Sequence, residues 1–198
     1  PLGFGAVNLG SDVVLLCGGG SPVRDGSDEL LYLSPVDTCN KIGLSGKVDS
    51  LFSATLPTPL QSFAMARLDE GALIYGGIAE DSYPGWPASS QRKAWVFAYN
   101  SWTETDSLTW RRSMHRAIPL PDGRVMLIGG AEEGGSFEPA MGSPVVCTEV
   151  FDPDDLSFAT IGPCTTRGSG ANPTVSWSNG DGGFVLSGQY SVGSNGGD

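Results

Sequence analysis

The chain has 198 residues, about one domain's length, and 22 acidic residues against 11 Lys and Arg give it a net charge of −11. That balance excludes general nucleic-acid binding, which relies on a basic surface. With 29 Gly and 14 Pro the chain is too punctuated for a helical bundle, yet 39% hydrophobic residues suffice for a core, and no apolar run is long enough for a membrane-spanning helix.

From the N-terminus, a strand-like run Phe4–Asn8 passes through the turn Gly10-Ser11-Asp12 into Val13–Gly20, VVLLCGGG. A polar loop, a run at Leu30–Leu33 and turn chemistry at Ser34-Pro35 follow. The pattern returns as Phe63–Leu68, Asp69-Glu70-Gly71, GALIYGG ending at Gly77, a long loop and Ala94–Tyr99, with an irregular stretch at Ser101–Trp110. It returns again as His115–Leu120, Asp122-Gly123, GRVMLIGG ending at Gly130, a loop, Val146–Phe151, Asp152-Pro153 and Ser157–Ile161. Thr174–Trp177 and Gly182–Gln189 close the series. The first Gly after each apolar run is Gly18, Gly76, Gly129 and Gly188, at spacings of 58, 53 and 59 residues. Self-similarity at such a period marks a repeat architecture. The turn dipeptides supply the positive φ angles of tight hairpins. The expected unit is four antiparallel strands, A to D.

The Gly pairs ending strand B, the Asp-Gly turn before it and the segment FDPDDLSF (Phe151–Phe158) resemble kelch-repeat β-propellers. The resemblance implies an all-β, kelch-type propeller segment of about three and a half four-stranded antiparallel blades. Its units span about 4–61, 62–114, 115–173 and 174–198, the last incomplete. The remaining blades are then expected from a longer chain, a cleaved partner or a second copy, with a fragment ranked above a homodimer. Arg112-Ser113-Met114-His115 before Leu120-Pro121-Asp122-Gly123 is similar to a copper-ligand segment of the galactose oxidase/glyoxal oxidase family. In that alternative His115 is a copper ligand, but Met114 stands where the family has Tyr, and His115 is the sole His of the chain. Copper needs several N, O or S ligands, so the reading preferred is no catalytic residue and no cofactor.

Kelch propellers bind proteins and their relatives bind sugars. The expectation is therefore a binding scaffold for a protein or glycan ligand, on the face carrying the long B–C loops and D–A connections. The A–B and C–D turns on the other face are short. Tyr83, Trp86, Arg92, Arg111, Arg112 and Arg116 are the candidate ligand-binding residues, being aromatic and Arg residues of the kind that dominate interfaces. Residues 92–124 carry a local excess of three positive charges within this acidic chain. Trp95, Phe97 and Tyr99 alternate and are expected to pack between sheets. Cys147 and Cys164 sit symmetrically about the turn near Asp154-Asp155 and are expected to be bridged, with Cys17 free in the core and Cys39 at a turn. One bridge and few Lys suit an extracellular or secretory-lumen setting over a cytoplasmic one.

Overall fold

A computed structural model describes residues 3–10, 12–43, 45, 52, 54–81, 88–134, 145, 147–161, 172–178 and 184–189. Among them every regular element is a β-strand. In the first sheet β1 (Gly5–Gly10) pairs antiparallel with β2 (Val13–Cys17). Beyond β2 the chain forms β3 (Gly20–Arg24) and a 14-residue β4 (Leu30–Gly43). The start of β4 pairs with β3, and its end, Cys39–Gly43, pairs with β2. β5 (Thr55–Leu60) joins β4 at Val36 and Thr38.

The second sheet runs β6 (Ala64–Leu68), β7 (Gly71–Tyr75), β9 (Ala94–Ala98) and β10 (Ser101–Glu104), neighbours pairing in that order. Between β7 and β9 lies a two-residue strand β8 (Ala88–Ser89). The third sheet repeats the order with β11 (Arg116–Pro119), β12 (Val125–Ile128), β14 (Thr148–Asp152) and β15 (Ser157–Ile161). Its loop strand β13 (Glu133–Gly134) pairs with β8. A hairpin of β16 (Asn172–Ser178) and β17 (Phe184–Gln189) ends the series.

The first strands lie against one another in sequence, β1 on β6, β6 on β11 and β11 on β16. Strand B of the second sheet is therefore apolar on both faces. Ile74 faces the first sheet, with Leu15, Phe63 and Phe97, while Leu73 and Tyr75 face the third, with Val125, Leu127 and Phe151. A strand buried on both sides reads as a continuous apolar run rather than an alternating one, as Ala72-Leu73-Ile74-Tyr75 does. Lys41 adds a polar tie between the first two sheets, its Nζ 4.5 Å above the Phe52 ring and donating to Asn100 Oδ1 at 2.6 Å.

Four expectations need correction. Leu30–Leu33 is not strand C of the first sheet but one side of an inserted β3–β4 hairpin; strand C begins at Cys39. That shift seats Cys39 directly opposite Cys17, and the two form a disulfide with Cα atoms 4.1 Å apart. Cys17 is thus bonded, not free. The second sheet has a regular strand D, Ser101–Glu104, reached through a turn in which Tyr99 and Asn100 both adopt positive φ. Tyr99 is 82% exposed instead of packing between sheets, and its hydroxyl donates to Glu70 across the turn face; Trp95 and Phe97 are buried as expected. Cys147 is disulfide-bonded, while Cys164, its expected partner, lies outside the described residues.

Candidate functional site

Alternating strand direction divides each sheet into two ends. At one, hairpins turn within a few residues, at 69–70, 99–100, 121–123 and 153–156. At the other emerge the long loops and the connections between sheets. Here the Gly pairs are explained by close backbone approach. Gly19 N–H donates to the carbonyl of Leu60 at 2.7 Å, and Gly77 N–H to that of Arg112 at 2.8 Å. A Cβ on Gly18 would stand 2.5 Å from the Leu60 oxygen, and one on Gly130 2.5 Å from the Ser113 oxygen. Both glycines have positive φ, so no other residue meets steric and torsional demands together. Each connection also bonds forward, Gln61 with Ile78 and Ser113 with Ala131, two bonds apiece. Innermost, Met114 N–H donates to Ser62 O and Ser62 N–H to Gly3 O, both at 2.8 Å. Gly3, Ser62 and Met114 share positive φ, so a residue of left-handed backbone precedes each of β1, β6 and β11.

Beneath this surface lies a buried polar cluster. Arg112 is fully buried; its guanidinium pairs with the Glu149 carboxylate and donates to the carbonyls of Gly129 and Cys147 at 3.2 Å. Glu149 accepts from Thr109 N–H at 2.7 Å, so one β14 carboxylate holds both ends of the 109–112 connection. Arg112 was expected on the ligand surface; the structure places it in the interior. Next to it the buried His115 ring stands 4.5 Å from the Tyr75 ring. Burial first, then the charges of Arg112 and Arg116, hold His115 well below its ordinary 6.5, so it is a neutral imidazole. Burial likewise raises the Tyr75 phenol well above 10. Neither His115 nitrogen reaches a partner at hydrogen-bond geometry, nor do the Tyr75 hydroxyl, Ser113 Oγ or Arg112 Nε. The backbone near Ser113 and Tyr75 only weakly opposes the His115 shift. Among the described residues no group of three His, Cys, Asp or Glu side chains is placed to hold a metal. Among the described residues one imidazole and one phenol stand here, fewer donors than the several that copper requires.

Above the cluster, three backbone segments form a ledge. Arg112 N–H donates to Gln91 O, Gln91 N–H to Gly77 O and Ser90 N–H to Glu132 O. Ser90 Oγ donates to Ala131 O at 3.0 Å, and β8 pairs with β13. Loops of the second and third sheets are thereby knitted into one surface. Arg92 and Arg111 are exposed on it, and Arg116 is exposed at the start of β11. Tyr83 and Trp86 lie outside the described residues. Sequence reasoning missed the carboxylate partner, since a Glu in the middle of an apolar strand gives no sign of the cation it faces.

A separate pocket of about 480 Å³ lies against the first sheet, lined by Phe4, Leu16, Cys17, Gly18, Val36 and Thr38 among others. In β2, Leu15 and Cys17 belong to the core shared with the second sheet, and the alternating Leu16 belongs to the opposite face.

No family model matches the chain. Over 150 residues, 75% of the chain, it is 29% identical to the tRNA wybutosine-synthesizing protein 4 of Saccharomyces cerevisiae (strain ATCC 204508 / S288c). The matched stretch amounts to 20% of that relative's length.

Proposed function

We propose that the chain is a segment of a kelch-type β-propeller acting as a non-catalytic binding scaffold, which offers its loop face to a protein or glycan ligand. The observation that carries this reading is the ledge, where loops of adjacent sheets are hydrogen-bonded into one preformed surface while the hairpins of the second and third sheets turn within a few residues at the opposite face. A preformed surface loses little conformational entropy on binding. The repeated Gly-pair contacts and the stacked first strands support the propeller reading. The uncovered apolar face of the first sheet then receives a further sheet from a longer chain, a cleaved partner or a second copy. Buried disulfide chemistry suits an oxidising compartment, extracellular or lumenal.

Cross-linking of ligand captured from the source extract, mapped by mass spectrometry, tests the reading. Cross-links on residues 20–35, 78–93 or 131–145 support it. Cross-links confined to the tight-turn face, or stoichiometric copper with oxidase turnover in the purified protein, would sink it.

A further inference from the structure

Phe4, Phe63 and His115 hold equivalent places in the fold. Each follows a left-handed residue, Gly3, Ser62 or Met114, just before a first strand. Two of them plug the sheet that precedes them. A Cβ on Gly18 would stand 2.7 Å from Phe63 Cε1, and one on Gly76 2.7 Å from His115 Cε1. Phe63 is 7% and His115 1% exposed, whereas Phe4 is 52% exposed. Strand B repeats the contrast. The second and fourth residues before the first Gly are Ile74 and Ala72 in the second sheet, Leu127 and Val125 in the third. All four are fully buried in the cores shared with the preceding sheet. Their equivalents in the first sheet, Leu16 and Val14, are only half-buried. Cross-strand register sets these two in uncharged rows, Ala6-Leu16-Asn40 and Asn8-Val14-Ile42. Phe4 and Leu16 also line the pocket of about 480 Å³.

We infer that this face docks a second copy of the chain head to tail, with Phe4 of one copy seated against Gly188 of the other. The inference rests on the reading that the first sheet receives a further sheet, and it names which one. Continuity with the existing junctions selects the seat. The Phe63 and His115 plugs each meet a residue that has no Cβ, the first Gly after an apolar run. Gly188 is the fourth Gly of that series, it lies in β17, and no further sheet follows β17 among the described residues. The charge pattern agrees. Each copy carries −11, and a contact through rows without a charged residue brings no like charges face to face. The contact is heterologous, because two first-sheet faces brought together would set plug against plug with no glycine to receive either.

Size-exclusion chromatography with light scattering on the whole chain tests this. The mass is expected to rise with concentration above that of one chain. Phe4→Asp and Gly188→Trp should each weaken association about tenfold or more, with circular dichroism confirming that both variants fold. An equimolar mixture of the two should then give a discrete 1:1 pair, since each variant keeps the surface that the other has lost. A single-chain mass at every concentration overturns the inference. So does undiminished association of Gly188→Trp, which would mark a symmetric contact, and so does a mixture that forms no pair. Should Gly188→Trp fail to fold, Phe4→Asp in excess over the natural chain decides instead. Head-to-tail docking predicts that it ends assemblies as 1:1 pairs, and assemblies left unchanged overturn the inference. If the chain stays single while cross-links to captured ligand still map to the loop face, only this inference falls; loss of those cross-links removes the scaffold reading itself.

Discussion

Arg112 and Glu149 form a buried ion pair whose halves depend on each other. Desolvating two charges costs several kcal/mol, and the mutual attraction with the added hydrogen bonds offsets it. Removing one partner strands the other. Glu149→Gln or Arg112→Met alone is expected to cost about 3–5 kcal/mol in urea denaturation. The apolar double variant Arg112→Met, Glu149→Leu should recover most of that loss, and simple additivity of the two costs would refute the pairing argument. His115 gives a pH dependence. Its folded pKa is depressed, so above about 6.5 both folded and unfolded states hold it neutral and it contributes no slope. Below that the unfolded state binds a proton that the folded state refuses. Stability should therefore fall from pH 6.5 to about 5, by up to about 1.4 kcal/mol per pH unit. Melting curves across that window should show the slope in the natural protein and a flatter line in His115→Phe; equal slopes would show that another group titrates.

At the scale of elements, the Gly pairs test the stitching of one sheet to the next. A Cβ at Gly76 runs into the Arg112 carbonyl oxygen and the His115 ring, whereas one at Gly123 meets nothing within 4 Å. Both have positive φ, +63° and +88°. Gly123→Ala should cost about 1 kcal/mol for torsional strain alone, and Gly76→Ala clearly more, read as the difference between their melting temperatures. Similar losses would mean that conformation, not contact, requires the glycines. These glycines were legible in the sequence because the demand they meet is local and recurs. The first sheet was less legible. Leu30–Leu33 looks like a third strand because it is one, but it pairs within an inserted hairpin, and β4 continues without a break through Ser34-Pro35. Misplacing strand C by several residues hid the Cys17–Cys39 opposition. Strand D of the second sheet escaped because Tyr99-Asn100, not a Gly-containing pair, makes its turn. Nothing in the sequence marked which of the candidate arginines is buried, because that depends on a Glu 37 residues away. The corrected disulfide closes a 22-residue separation. The double variant Cys17→Ala, Cys39→Ala should lose about 3 kcal/mol by the chain-entropy argument, measured by denaturation without reductant; no loss would show that the bond merely decorates the pair.

For the whole molecule, no sheet among the described residues packs on the face of the first sheet that carries Leu16. Phe4 is 52% exposed there, beside the pocket that Leu16 helps to line. Exposed apolar faces of this kind drive association. Sedimentation equilibrium of the chain should show self-association that rises with concentration, and Leu16→Asp should weaken it while the β-sheet circular dichroism is retained. A monomer at every concentration would mean that this face needs no cover. The hydrogen bonds that join Gly77 to Arg112 and Ser62 to Met114 also bear on how such molecules exchange parts. Strand B of the first and second sheets is fastened to the connection that leads on to the next sheet, at Leu60 and at Arg112. A graft that follows visible sheet edges severs those bonds on both sides. Crossing over just after Ser62 and just after Met114 instead keeps the Gly77–Arg112 bond within one unit and leaves the Met114–Ser62 bond to re-form between units. Duplication or shuffling of units then succeeds at seams set by backbone bonding, inside what looks like a plain linker, and fails in the long exposed loops that would seem the natural places to cut.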